Sequence, residues 1–436
     1  MMVAVTAPCE PAPPEPAPDP AAEVAAWAES GAMWLTGPPD GAPLGPPSGL
    51  VPKLRAIGAI VTGRAAVLGG DVALDPLGIL GERAALAGLR RQGTTSCGGA
   101  TRLLPAGEGW LAVSLARPSD VELVPAWFEL DALGPDADVW AVVTRQVAAG
   151  PVEAVLERAL LLGLPAAALP TTALPSPLAT PPLAPLPLRA TAVSGPPAPP
   201  PRSLDGLLVV DLSSLWAGPL AGRLLAAAGA QVVKVESTGR PDGARRAPTP
   251  VFDLLNAGKR SVALDLRSGA GVRLLHEVLA RADVVVEASR PRALEQLGIE
   301  PTALLAGAHP RVWVSITGHG RSGPGRDRVG FGDDTAVAGG LVCRRGGRPS
   351  FCADAVADPA SGMVAAAAVL DALAAGGRWL LDVAMAGVAS HLAGPTLATG
   401  DPAPPARPPG VDSPGRRAAS LGADTATVLA ELGLTA

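Results

Sequence analysis

Cysteine and histidine are scarce in this chain of 436 residues, and tyrosine is absent. The four cysteines (Cys9, Cys97, Cys343 and Cys352) form no CxxC pair, and no histidine is spaced from them as in a zinc site. We therefore expect no metal centre and no disulfide framework. A reduced, cytoplasmic chain is the simplest interpretation. We attribute the bias towards alanine, glycine and proline to a GC-rich genome and infer no function from it.

Signals for secretion, membrane insertion and nucleic-acid binding are also missing. No basic region precedes an apolar run at the N-terminus, so we expect no secretory signal. The longest apolar stretch, residues 363–375, contains Asp371 and is too short to span a bilayer. A formal net charge of −5 disfavours a broad nucleic-acid-binding surface. We expect neither a membrane nor a nucleic acid as a partner.

The length allows two or three domains, and the residue composition changes along the chain. Residues 1–22 carry proline, alanine and acidic residues without periodicity, which predicts a disordered tail. Residues 23–169 are predicted to fold, with helices over 80–91 and 151–162 and a strand over 110–115. Proline occupies 12 of the 32 positions from 170 to 201. We interpret residues 170–203 as a semi-rigid linker without helix or central strand.

Strands alternate with helices from residue 204 onwards. Residues 207–212 form an apolar strand, 220–228 a helix ended by Gly229, and 231–236 a β-branched strand. Parallel strands need such a crossover, so this is a βαβ unit. Further strands are predicted over 261–266, 283–287 and 311–317, and further helices over 269–281, 291–297 and 301–306. The pattern predicts an α/β domain over 204–400 with a mostly parallel sheet, followed by a tail, 401–436, that packs back on it.

Ligands in such sheets bind in the loops beyond the carboxyl ends of the strands. These loops follow Leu212, Glu236, Leu266, Glu287 and Thr317. The first loop lacks GxGxxG, which disfavours a dinucleotide. Lys259 and Arg260 offer two cations for a phosphate, although such pairs are usually solvated surface.

Asp358 is the main candidate for chemistry among the carboxylates. It lies beside Pro359 at the start of a long alanine-rich helix, where most aspartates only cap the helix. The alternative is a carboxylate nucleophile with small neighbours that admit an acyl group. His319 is more often a structural histidine than a base, and the pair Asp333 and Asp334 is usually a turn.

Several segments, in order, resemble the class III CoA-transferase family, the group of formyl-CoA transferase, carnitine-CoA transferase and α-methylacyl-CoA racemase. They are VVDLSSLWAGPLAGRLLAAAGAQVVKVE, LNAGKRSVALDL, ADVVVEASRP, LEQLGI, HPRVWVSITGHGRSGP, RVGFGDDTAVAGGLV, ADPASG, RWLLDVAM and the terminal SLGADTATVLAELGL. The resemblance implies a Rossmann-like large domain plus a smaller α+β domain.

The resemblance also implies the chemistry and the ligands. An aspartate at the position of Asp358 attacks an acyl-CoA thioester, and an aspartyl anhydride and then an aspartyl-CoA thioester form. CoA passes between two carboxylic acids as a substrate, and no tightly bound cofactor is implied. Family members form interlocked dimers, so a homodimer or a hetero-oligomer with a related subunit is expected. The positions implied in CoA binding are Trp216, Ala217, Lys259, Arg260, Leu264, Arg267, Ala288, Ser289 and Arg290.

The chain departs from the family pattern at several of its site positions. The departures are Trp216, Ser237, Ala288, Gln296 and Gly332. They leave open a CoA-binding protein or partner subunit without turnover. Phe331 replaces the histidine of the racemases, which disfavours an isomerase or racemase.

The order of the segments is unusual as well. SGAMWLTGPPDGAP (residues 30–43) and the stretches 90–120 and 158–169 resemble parts that follow the first α/β half in the family. Here they precede it. The sequence therefore resembles a permuted chain, or two halves fused in reverse order, with residues 23–169 as the small-domain part.

Overall fold

The computed structural model describes residues 19–134, 136–247, 250–411 and 416–434. Its helices are α1 (Pro20–Glu29), α2 (Leu50–Val67), α3 (Glu82–Ala87), α4 (Pro118–Glu122), α5 (Val124–Phe128), α6 (Val139–Ala149), α7 (Val152–Leu161), α8 (Ala217–Ala227), α9 (Val251–Asn256), α10 (Gly269–Leu279), α11 (Pro291–Gln296), α12 (Pro301–Leu305), α13 (Gly332–Ala338), α14 (Ala357–Ala375), α15 (Met385–Leu392) and α16 (Thr425–Glu431). Its strands are β1 (Thr101–Ala106), β2 (Gly109–Ser114), β3 (Ala166–Ala168), β4 (Arg189–Ala192), β5 (Leu208–Asp211), β6 (Gln231–Ser237), β7 (Arg260–Leu264), β8 (Val284–Glu287), β9 (Val312–Thr317), β10 (Val342–Arg345), β11 (Arg348–Phe351) and β12 (Trp379–Ala384).

The main sheet has seven strands in the order β4-β12-β9-β8-β5-β6-β7. All neighbouring pairs are parallel except β4 with β12, which is antiparallel. Starting from β5, the chain moves outwards through β6 and β7, then returns to build β8, β9 and β12 on the other side. This is the strand order of a doubly wound Rossmann-like sheet, so the predicted fold class is confirmed. The order reverses between β5 and β8, where such folds open a crevice for ligands.

The predicted βαβ unit is present as β5, α8 and β6. Helix α8 begins at Ala217, three residues before the predicted start, because Pro219 fits the first turn of a helix. Gly229 ends the unit's helix with φ +108°, a backbone conformation that other residues rarely adopt.

Helix α14 lies at the centre of the core, packed between α2 and α8. It extends further towards the N-terminus than the apolar run at 363–375, and by length and composition alone it could cross a membrane. However, 89% of its most apolar window is buried inside the protein, as in the core helix of a globular fold. Its buried Asp371 accepts hydrogen bonds from the Ala184 amide (2.6 Å) and pairs with Arg64 Nε (2.6 Å). These two bonds tie α2 and the 170–203 segment to the core helix.

The N-terminal prediction needs two corrections. Residues 1–18 lie outside the described residues, but α1 already begins at Pro20, capped by the Asp19 carboxylate on the Ala21 amide (2.9 Å). In addition, Trp27, Leu54 and Val61 are fully buried in the same core as α8 and α14. The part of the predicted small domain up to α3 therefore belongs to the large unit.

A separate, smaller α+β unit covers only residues 101–169. Strands β1, β2 and β3 form its antiparallel sheet, and α5, α6 and α7 contribute to its core around Trp127, Leu111 and Val143.

The proline-rich segment is packed structure and not a spacer, which corrects its interpretation as a linker. It supplies the edge strand β4, and Leu183, Leu186 and Leu188 are buried in the main core. Arg378 holds the segment by donating to the Pro196 carbonyl (2.9 Å), while its other nitrogens bind the carbonyls of Ala308 and Pro310. Strand β4 itself, Arg189–Ala192, contains no proline, so its backbone is free to pair with β12.

The C-terminal helix α16 lies against the opposite edge strand, β7. Val428 and Leu429 are buried there. The Asp424 carboxylate accepts from the Ser261 amide (2.8 Å) and the Thr425 hydroxyl from the Ala263 amide (3.0 Å). These bonds satisfy amides that an edge strand would otherwise leave unpaired.

Candidate active site

Asp358 lies in the first turn of α14, just inside the helix. The N-cap residue is Val356, so the expectation that Asp358 caps the helix is wrong. Asp358 is partly exposed, although its neighbours along the helix are buried. The turn before it holds Ala353 (φ 52°) and Ala355 (φ 44°) in the left-handed region, which is unfavourable for alanine. Such strain is typical of functional sites, because the surrounding fold must enforce it.

Gly332, the first residue of α13, faces the Asp358 carboxylate. A Cβ on Gly332 would lie 2.4 Å from Asp358 Oδ2 and 2.5 Å from the Ala355 carbonyl oxygen. Only glycine fits this position without moving Asp358. The departure of Gly332 from the family pattern therefore has a local reason, since the carboxylate occupies the space of a side chain.

Asp333 and Asp354 act on the Asp358 carboxyl, and Asp358 in turn acts on Asp334. Burial raises the pKa of Asp358 to about 7, Arg83 opposes this, and Asp333 and Asp354 add to it. Burial and Asp354 raise the pKa of Asp333 to about 6. Burial also raises the pKa of Asp334 to about 8, although this carboxylate accepts from the Phe331 amide at 2.9 Å. The site therefore holds protonatable carboxylates that exchange protons near neutral pH.

Arg83 on α3 brings a positive charge to this cluster. Its Nη2 and Nε donate to the two oxygens of Asp354 (2.5 and 2.8 Å), a bidentate pair. Its guanidinium also lies over the Trp216 ring, 4.9 Å from the centroid. The sequence prediction missed Arg83, because nothing distinguishes it from Arg90 and Arg91 in the helix predicted over 80–91.

Trp216 and Ala217, which the resemblance implies in CoA binding, lie at the start of α8, which contacts α14. Trp216 is the N-cap residue of α8 and is only 4% exposed. A Cβ on Gly362 of α14 would lie 2.6 Å from the Ala217 carbonyl oxygen, so the N-terminal turns of α8 and α14 are in close contact. Both helices direct their positive ends to the same region, which favours anions there.

Lys259 has a structural position, which corrects its assignment to CoA binding. Its buried ammonium donates to Asp211 Oδ2 (2.8 Å), the Pro219 carbonyl (2.8 Å) and Asn256 Oδ1 (3.0 Å). Three acceptors use all three protons. Burial lowers the pKa of Lys259 to about 8, whereas Asp211, despite its own burial, is held by Lys259 and Lys234 at a pKa of about 2.

Arg260 and Leu264 are also occupied elsewhere. Arg260 pairs with Glu431 on α16. Leu264 is buried in the core on one face of the sheet, and its carbonyl accepts from the Thr238 amide (2.9 Å). Neither side chain is presented to the crevice, so both assignments are corrected.

Arg267 and the loop after β8 remain available. The Arg267 side chain is 78% exposed and lies beside Gly239, in the loop after β6. Ala288 is exposed, and the Ser289 amide donates to Glu287 (2.7 Å), which fixes the turn.

Arg290 joins a group of arginines near this crevice. Partial burial lowers the pKa of Arg290, and the charges of Arg292, Arg117 and Arg240 lower it further. Arg117 is itself held in a bidentate pair with Asp120, so Arg240, Arg290 and Arg292 are the guanidinium groups left to meet an anion. Arg117 also lies over the ring of Phe331, 5.8 Å from its centroid, which connects the group to the residue next to Gly332.

His319 lies apart, in a cavity of about 190 Å³ that Asp382 and Gly387 also line. Burial and Arg328 lower its pKa to about 3, so it is a weak base. Within the described ranges, no group of three or more His, Cys, Asp or Glu residues could hold a metal ion.

Comparisons with known proteins identify the family of the main domain. The model of CoA-transferase family III matches residues 204–421, half of the chain. The succinyl-CoA–D-citramalate CoA-transferase of Chloroflexus aurantiacus is 36% identical over 149 residues, 33% of this chain and 37% of the relative. The cinnamoyl-CoA:phenyllactate CoA-transferase of Clostridium sporogenes is 34% identical over 186 residues, 39% of this chain and 44% of the relative. The chain thus spans less than half the length of these two curated relatives.

Among solved structures, a CAIB/BAIF family protein from Brucella suis shares 31% sequence identity. The match covers 43% of this chain and 54% of that one, with a TM-score of 0.39. The family match covers the strands β5–β9 and β12 and also Asp358. It includes the loops after β6 and β8, which carry Arg240 and Arg290. This chain belongs to CoA-transferase family III.

Proposed function

We propose that this protein is an acyl-CoA:carboxylate CoA-transferase with Asp358 as the nucleophile. The observation that carries the proposal is the close fit of Asp358 against Gly332, at the meeting point of the α8 and α14 N-termini. A partly exposed carboxylate that titrates near neutral pH can attack a thioester and can also leave again.

The reaction follows from the carboxylate. Asp358 attacks the acyl carbonyl of the thioester, the C–S bond breaks, and CoA leaves as a thiolate beside a mixed aspartyl anhydride. The thiolate then attacks the aspartyl carbonyl, which releases the first acid and forms an aspartyl-CoA thioester. An incoming carboxylate repeats these steps in reverse and leaves with CoA. Atoms and charge balance without a cofactor, and the Asp358 carboxylate is regenerated.

The phosphates of CoA would bind to the arginine group. Arg240 and Arg290 follow β6 and β8, on either side of the switch point, and Arg267 follows β7. Arginine suits this role because its planar fork binds phosphate oxygens in pairs. The identity of the acids is left open by this proposal.

A partner subunit forms a second part of the proposal. One relative is named as the beta subunit of a succinyl-CoA–L-malate CoA-transferase, also from Chloroflexus aurantiacus. We propose a homodimer, or a hetero-oligomer with a related subunit, in the cytoplasm. The free cysteines among the described residues, Cys97, Cys343 and Cys352, support a reducing compartment.

The test is direct detection of the acyl-enzyme. Purified protein is incubated with a panel of acyl-CoAs, treated with hydroxylamine and analysed by peptide mass spectrometry. We expect a hydroxamate on Asp358 and none in the Asp358→Asn variant. Asp205→Asn, which changes an exposed aspartate, is the matched control and keeps the adduct.

Two results would contradict the proposal. The first is CoA transfer at the wild-type rate in Asp358→Asn. The second is tight CoA binding without adduct or transfer over the whole panel, which would favour the CoA-binding partner subunit. Solvent deuterium appearing at the α-carbon of the acyl group would instead indicate isomerase chemistry.

A further inference from the structure

Helix α3 contributes two neighbouring charged side chains, each in a bidentate ion pair with a distant segment. Glu82 accepts from both terminal nitrogens of Arg223 on α8 (2.8 Å each). Arg83 donates to both oxygens of Asp354, in the strained turn before α14. The first pair fastens α3 to α8. The second lies next to the nucleophile candidate.

The position of Arg83 is fixed from several sides. Asp354 holds its guanidinium edge, the Trp216 ring covers one face, and Gly98 lies close to its Nη2. Asp354 is fully buried, and the alanines on either side of it are held at positive φ. Its carboxylate therefore stays against Arg83 and does not turn out towards solvent. A cation clamped in this way is preorganised, so its effect on a neighbour costs little reorganisation.

The charges around Asp358 are unbalanced. Asp333 and Asp334 face it from α13, Asp354 from the preceding turn, and Arg83 from α3, together with the Gly332 amide. Arg83 is the one cation among these groups and shares its charge with Asp354, while burial keeps the Asp334 carboxyl protonated at neutral pH. Ionised Asp358 therefore depends on Arg83 for compensation.

We propose that Arg83 is the positioning residue of the Asp358 site. From the N-terminal segment, its guanidinium supplies the positive charge that keeps Asp358 in its reactive carboxylate form. Asp354 and Trp216 orient Arg83 for this role. The inference rests on the proposed function. It adds to it a residue that lies outside the matched family region, in the segment ahead of the main sheet.

Opposite substitutions give the proposal its test. Arg83→Met removes the cation, and we expect the pH midpoint of adduct formation to rise by roughly 1 to 3 units. Asp354→Asn removes a neighbouring negative charge while its amide oxygen still accepts from Arg83, so we expect the midpoint to fall. Each unit changes the rate below the midpoint about tenfold. A merely structural role would shift neither midpoint, or both in the same direction.

Three further variants complete the design. Arg83→Lys keeps the charge but loses the bidentate geometry, so the midpoint stays near that of the wild type while the maximal rate falls. Arg223→Met removes the adjacent ion pair of similar geometry and is the matched control, with an unchanged midpoint. If Arg83→Met does not fold, the Lys and Asn variants carry the test.

Titration of ¹³C-labelled Asp358 by NMR separates this inference from the proposed function. Opposite NMR shifts without any adduct would leave the electrostatic role intact and remove the transferase proposal. An adduct whose midpoint is the same in the wild type, Arg83→Met and Asp354→Asn would overturn the inference and leave the transferase proposal standing.

Discussion

The backbone of Gly332 lies against the carboxylate of Asp358 so closely that a single methyl group would lie 2.4 Å from Oδ2. The same methyl group would also lie against the backbone and side chain of Ala355, so it has no room to move away from Asp358. The position of the reactive carboxylate is thus set by the absence of a side chain on the facing helix.

Gly332→Ala should impair chemistry and also destabilise the fold, because its Cβ would meet the Ala355 carbonyl oxygen at 2.5 Å as well as the Asp358 carboxylate. The added methyl group would push the Asp358 carboxylate out of its position, and a misplacement of about 1 Å costs roughly a hundredfold in rate. The rate of adduct formation measures this effect. Gly63→Ala, in an open position on α2, is the control and keeps the rate, since its Cβ meets nothing within 4 Å. A wild-type rate in Gly332→Ala would show that Asp358 does not need this geometry.

Stability should fall as the pH rises, because the buried acids keep protons that the unfolded chain loses. Burial raises the pKa of Asp334 from 3.8 to about 8, so the folded state binds the extra proton between these values. The free energy of unfolding then decreases with rising pH, by up to about 1.4 kcal/mol per unit for one such group. Denaturation series between pH 5 and 8 measure the slope.

Asp334→Asn should flatten that slope, because it keeps an acceptor for the Phe331 amide without a titrating group. Asp138→Asn, at the exposed N-cap of α6, is the matched control and keeps the wild-type slope. A slope that is equally steep in Asp334→Asn would assign the pH dependence to other groups.

Substitution of Lys259 should lower the stability of the fold, whereas substitution of Arg267 should weaken CoA binding. Lys259→Met leaves Asp211 buried without its cation, which destabilises the fold by about 3–5 kcal/mol. Arg267→Ala, at an exposed position, changes stability by less than about 0.5 kcal/mol but weakens CoA binding, more strongly at low salt. Thermal unfolding and calorimetry with CoA are the two measurements. Normal stability of Lys259→Met with lost CoA binding would reverse these assignments.

Local patterns predicted five of the seven strands of the main sheet, β5 to β9. Strands β5, β6, β8 and β9 are apolar runs bounded by turn residues. The predicted and observed boundaries differ by at most two residues for these strands. The edge strand β4 was missed because its surroundings are rich in proline, and strand pairing at an edge leaves no mark on hydropathy.

The site was only partly predictable, since its decisive contacts join distant residues. Asp358 could be named from its segment. The Arg83–Asp354 pair spans 271 residues, and Lys259 meets Asp211 across 48. In the sequence, Lys259 in its glycine-containing loop is typical of an exposed cation. Only the fold decides whether a charge meets solvent or a buried partner.

The central place of α14 has a consequence for how this protein can change. The helix that presents Asp358 is also the most enclosed element of the core, and residues 365–368 are four buried alanines packed between neighbouring helices. A larger side chain there would disturb the packing and, with it, the first turn that carries Asp358. The interior around α14 should therefore tolerate substitution poorly, whereas the exposed loops should tolerate it well.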